Sequence, residues 1–163
     1  MNAVYPQHKE LGSILKDEIE HVSLLKESLC AETKILEEND PQALNEITER
    51  KQWLVNTIAE LDEKRSDLLR NAGYSADPAG TEAFISNLAD TDSNMINPLW
   101  QELLKLTADC QRQNIINGSI IGNSLRHFNQ AIALLTGQDT NAETYSPSGS
   151  TSSPTQQSRT IKV

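Results

Sequence analysis

A chain of 163 residues with 37% hydrophobic and 4% aromatic side chains suffices for one domain but is thin in the residues that fill a compact globule. Its net charge of −9 and isoelectric point of about 4.8 repel phosphate backbones and anionic headgroups, which argues against nucleic acid and membrane surfaces as partners. No apolar run approaches the ~20 residues of a membrane span, and residues 1–9 lack the apolar core of a signal peptide, so no membrane insertion and a cytoplasmic location are expected.

The first helix is expected over residues 7–38. Leu11, Leu15, Val22, Leu25, Leu29 and Leu36 recur at alternating spacings of three and four. Asn39 can close it in a left-handed turn, and Asp40 and Pro41 are cap and first position of the next helix. So short a linker forces an antiparallel hairpin. The second helix, residues 41–72, has the stripe Leu44, Ile47, Leu54, Ile58, Leu61 and Leu68, and Gly73 stops it.

Four charges interrupt these stripes: Glu18 and Glu32 in the first helix, Lys51 and Arg65 in the second. Facing residues of an antiparallel pair share a constant sum of residue numbers. Leu36 with Ile47, Leu29 with Leu54 and Leu15 with Leu68 share the sum 83, and so do Glu32 with Lys51 and Glu18 with Arg65. One alignment sets apolar against apolar and acid against base, so the charged pairs read as register keys for the hairpin. An acid–base catalytic pair does not fit, because four turns separate the glutamates, roughly 21 Å at helical rise.

Residues 74–80 (YSADPAG) are a loop by their turn residues. A short helix is expected over residues 81–90, capped by Thr81 and burying Phe84, Ile85 and Leu88. The third long helix is expected from the cap Asn97 and Pro98 to Leu135, with Gly137 as stop. Its stripe runs Leu99, Leu103, Leu106, Cys110, then resumes as Ile121, Leu125, Phe128, Ile132 and Leu135. Between these halves lie small and polar residues of poor helix propensity, Asn114, Asn117, Gly118 and Gly122 among them. The third helix outruns the hairpin arms, so Ile121 to Leu135 either close the core or present an apolar face to a partner. Residues 138–163 are rich in Ser, Thr, Gln and Pro, with only Tyr145, Ile161 and Val163 apolar, and should be disordered alone.

The expected architecture is therefore all-α: an elongated antiparallel bundle of three long helices with one short helix before the last, spanning residues 1–137, and a low-complexity polar tail, 138–163. Catalytic and ligand-holding patterns are not found. His8, His21 and His127 lack paired ligand spacing, Cys30 and Cys110 read as buried reduced thiols, and the glycines of residues 117–124 follow no strand and precede no lysine. No enzyme, metal or cofactor is expected, which leaves protein binding.

The segment Leu99-Trp100-Gln-Glu-Leu103, the run 110–118 (CQRQNIING) with Asn114, Asn117 and Gly118, and Tyr145 with Gly149 in a polar tail resemble the FlgN family of flagellar export chaperones. Charged residues within the apolar stripes of the first two helices fit the same pattern, and the likeness spans the whole chain. Tyr145 is followed by Ser-Pro-Ser where the family often has Gly-Pro-type turns. The resemblance implies a cytoplasmic chaperone that binds the helical C-termini of hook–filament junction proteins, prevents premature assembly, and delivers them to the cytoplasmic part of the export-gate membrane protein. It implies that the last helix and tail carry client binding, with Tyr145 a candidate contact for the gate. The competing expectation is a coiled-coil or dimerisation scaffold without a client.

Overall fold

In the computed structural model, residues 4–136 are described, with side chains from Gln7 onward; the tail 138–163, including Tyr145, lies outside the described residues. Four helices and no strand occur among them: α1 (Val4–Glu38), α2 (Pro41–Asn71), α3 (Pro78–Ser86) and α4 (Asp90–Thr136). None is long and apolar enough to cross a membrane. The chain divides into two units, residues 1–123 and 124–163.

Within the first unit, local chemistry sets the helix ends. Asn39 takes the left-handed conformation at φ 55°. The Asp40 carboxylate then accepts the N–H groups of Gln42 and Ala43, two donors that helix geometry leaves without partners. Gly73, at φ 85°, turns the chain away from α2.

Side-chain bonds fix the helix directions. Lys51 bonds Glu32 and Arg65 bonds Glu18. As residue numbers rise on one helix they fall on the other, so α1 and α2 are antiparallel. Against α4 the rule reverses. Cys110 Sγ donates to the Val22 carbonyl and Asn117 Nδ2 to the Leu29 carbonyl, both at a separation of 88 residues. A constant difference means that α4 runs parallel to α1. The core is densest at the end where α2 finishes and α4 begins, around Leu11, Leu15, Leu69, Phe84, Ile85, Ile96 and Trp100. Burying such side chains stabilises the fold by about 1.5–3 kcal/mol each. α3 plugs this end, with Tyr74 edge-on to Phe84 at 5.3 Å between ring centroids.

Three element starts differ from the sequence reading, and α1 is the simplest, beginning at Val4 rather than at residue 7. Asp77, not Thr81, caps the short helix, which begins three residues earlier at Pro78. The Asp77 carboxylate accepts Gly80 N–H at 2.7 Å and the Ser75 hydroxyl, and these bonds hold it below the usual carboxylate range. Thr81 is fully buried and serves Arg65 instead. α4 begins at Asp90, two turns before the expected cap, and carries Pro98 in its interior. Proline there forgoes one backbone hydrogen bond. Tertiary contact compensates, because Ile96 is buried against α1 beside Gly12 and Asp92 lies 3.7 Å from His8. A Cβ on Gly12 would come within 2.8 Å of Ile96 Cδ1, so the glycine permits this close approach.

Candidate functional site

The polar residues amid the apolar stripes gather at two points. At the packed end, both Glu18 oxygens accept Arg65 Nε at 3.2 Å, while the Arg65 guanidinium also donates to Thr81 and Asp62. The guanidinium carbon lies 5.3 Å from the centroid of the Trp100 ring. Trp100 is 2% exposed, and its indole N–H is buried without a hydrogen-bond partner. Burial pushes the Glu18 carboxyl above its ordinary range, with the Arg65 charge pulling the other way. The cluster joins α1, α2, α3 and α4, and its Glu18, Arg65, Thr81 and Trp100 are all buried, so its role is structural.

The second point is Asn117, 2% exposed. Its amide N–H groups go to the Leu29 carbonyl at 2.8 Å and to Glu32 Oε2 at 2.7 Å. Its Oδ1 accepts Thr33 Oγ1 at 2.6 Å and Gln113 Nε2 at 3.4 Å. The remaining oxygen of Glu32 accepts Lys51 Nζ at 2.5 Å. One asparagine thus ties α4 to α1, and through Glu32 to α2. A buried amide with all its groups bonded specifies alignment, since any slip leaves polar groups unpaired. Gly118, next along, has open space where a Cβ would stand.

Beside this node the three helices leave an apolar groove of about 300 Å³. Leu25 and Leu29 of α1, Val55 and Ile58 of α2, and Cys110 and Asn114 of α4 are among the residues that line it, with Lys51 at one wall. The sequence reading missed the groove, because hydrophobic periodicity shows that a face is apolar but not that two helices diverge over it.

The second unit presents a different surface. Leu125, Phe128, Ile132 and Leu135 recur at spacings of three and four and are 58%, 62%, 42% and 84% exposed. Arg126 and His127 are the only ionisable side chains on this stretch of α4, residues 124–136. Ile121, of the first unit, is 41% exposed.

Other residues singled out in the sequence have plain structural settings. His8 is buried beside Asp92, His21 tilts against Trp53 at 6.0 Å, and His127 is exposed. Cys110 is buried, and burial raises its thiol, but Cys30 is exposed rather than buried: the surface turn of α1 places it off the stripe. Both cysteines are free. Among the described residues no cluster of three or more His, Cys, Asp or Glu side chains could hold a metal ion.

Comparison with known proteins agrees in kind. A family model described as FlgN protein matches residues 1–153. A crystal structure described as a flagella synthesis protein FlgN, from Pseudomonas aeruginosa, is similar at a TM-score of 0.59 and 26% identity, covering 69% of this chain and 86% of that one. No curated protein matches.

Proposed function

The chain belongs to the FlgN family, and from that membership we propose that it is a cytoplasmic, non-enzymatic chaperone of flagellar type III export. Its clients are hook–filament junction proteins. It holds their helical C-termini, keeps them from assembling early, and hands them to the cytoplasmic part of the export gate, with Tyr145 as a candidate contact there.

The observation that carries this reading is the exposed stripe Leu125, Phe128, Ile132 and Leu135. Four large apolar side chains at helical spacing are costly to leave in water, at about 25 cal/mol per Å². They suit the amphipathic helix of a partner. A client end destined to pack into a filament carries such a stripe, and covering it blocks polymerisation. Binding needs no nucleotide, only a cover that can later be withdrawn.

The test is co-purification of a co-expressed junction protein. The Phe128→Asp/Leu135→Asp double variant should lose the client while its far-ultraviolet circular dichroism stays helical, because both side chains are more than half exposed. Retention of the client by a folded double variant would overturn the binding face. Collapse of the fold would assign both residues to a core.

A further inference from the structure

The groove over Leu25 and Leu29 is a second apolar surface, and it lies wholly within residues 1–123. Its lining residues fall at helical spacing on all three walls: Val22, Leu25 and Leu29 on α1, Lys51, Val55 and Ile58 on α2, Thr107, Cys110 and Asn114 on α4. Alternating steps of three and four leave holes that accept the side chains of a helix, whereas a strand, with a period of two, would meet them out of step. Lys51 carries the only charge in the lining. Its ammonium has three donors, and one goes to Glu32. Glu32 is itself committed on both oxygens, to Lys51 and to Asn117. Lys51 therefore has donors to spare at the wall of an apolar channel, where an added acceptor would be shielded from water and an added cation repelled.

We propose that this groove takes one amphipathic helix of the client, with a carboxylate or side-chain amide oxygen set into its apolar seam to accept from Lys51. The inference rests on the chaperone reading and adds to it a second contact, besides the stripe of residues 125–135, and a selection rule. The client's seam is not uniformly apolar, and an acceptor at one position fixes the register in which it lies along the groove. A helix with a lysine at that position would bring a second ammonium beside Lys51 and find both oxygens of Glu32 already bonded, so it would bind more weakly. Val55 is 47% exposed on the α2 wall, so it can be altered without opening the core.

Two measurements on the full chain test this. In the first, a photo-crosslinking benzoylphenylalanine replaces Val55 and the junction protein is co-expressed. The expected product joins residue 55 to the client's terminal helix. A product joining two copies of the chain would make the groove a dimer seam. One joining residue 55 to another part of its own chain would make it a self-covered face. A client that co-purifies without crosslinking binds elsewhere. Each of these three results overturns the proposal while leaving the chaperone reading standing, whereas failure of the unaltered chain to retain any junction protein overturns that reading and this one together. In the second, three-heptad leucine-seam peptides carrying Glu or Lys at one central seam position are titrated by fluorescence anisotropy. The Glu peptide should bind about tenfold tighter or more, the worth of one charge-assisted hydrogen bond. Lys51→Met should bring the ratio close to one. Because the ratio is read on a single protein, a loss of stability in the variant cancels. Equal binding of both peptides to the unaltered chain would overturn the role of Lys51.

Discussion

Arg65 shows how a single side chain can set both alignment and pH response. It is 8% exposed and bonded to Glu18, Thr81 and Asp62, with the Trp100 ring near its guanidinium carbon. Replacing Arg65 by Leu leaves Glu18, 2% exposed, without its cation. An uncompensated buried charge costs about 3–5 kcal/mol, and denaturant unfolding at pH 7 should show a loss of that order. The sign of the pH dependence follows from Glu18. Burial already raises its folded-state pKa above the ordinary value despite Arg65, and removing Arg65 raises it further. The native variant then binds a proton that the unfolded chain releases, so its stability falls as pH rises through the interval between the two values. The deficit of Arg65→Leu should therefore shrink as pH falls from 7 toward the ordinary carboxylate range, where Glu18 of the variant takes up its proton. A deficit that is constant with pH would mean that the lost packing on Trp100, not the stranded carboxylate, dominates. The contact between Arg65 and Glu18 is legible from spacing alone, since two helices joined by a two-residue turn have few possible registers. Thr81 is not: its hydroxyl meets Arg65 through the fold of the loop before α3, which no periodicity encodes.

At the level of elements, α4 is where sequence reasoning succeeded and failed for physical reasons. Propensity rules favour proline at the first position of a helix, and a start at the cap Asn97 obeys them. Packing of Ile96 beside Gly12 and the closeness of Asp92 to His8 outweighed one missing backbone bond. Such a trade is invisible until the neighbour across the groove is known. The weak middle of α4 is legible, because glycine and asparagine are poor helix formers wherever they occur. The structure adds that Gly118 and Gly122 are not required by space: nothing lies within 4 Å of a Cβ at either, and neither has a positive φ. Gly118→Ala and Gly122→Ala should each stabilise α4 by about 0.5–1 kcal/mol, read as slower amide hydrogen exchange over residues 115–125. If the glycines are kept so that this stretch can bend on client binding, the double variant will be more protected yet capture less junction protein. Unchanged capture with greater protection would remove bending from the mechanism. Gly12 offers the opposite case: Gly12→Ala meets Ile96, and no gain is expected.

For the molecule as a whole, an exposed apolar stripe and a net charge of −9 act against each other. The stripe favours association with any complementary helix, a second copy included. The charge opposes bringing two copies together, and this repulsion fades with salt and near the isoelectric point of about 4.8. The same balance separates a chaperone from a scaffold. A scaffold needs a self-pairing seam strong enough to outweigh the repulsion under ordinary conditions. A chaperone needs the repulsion to win until a client of different charge arrives. Sedimentation equilibrium at pH 7 and low salt should accordingly give a monomer, with self-association growing as pH approaches 5 or as salt rises. Phe128→Asp should suppress that growth by placing charge in the middle of the stripe, and circular dichroism on the same samples separates association from unfolding. A dimer that persists on micromolar dilution at pH 7 and dissociates in the Phe128→Asp variant would show that the stripe is already satisfied by a second copy. The scaffold reading would then prevail for the stripe, since no client could reach it without first breaking that pairing.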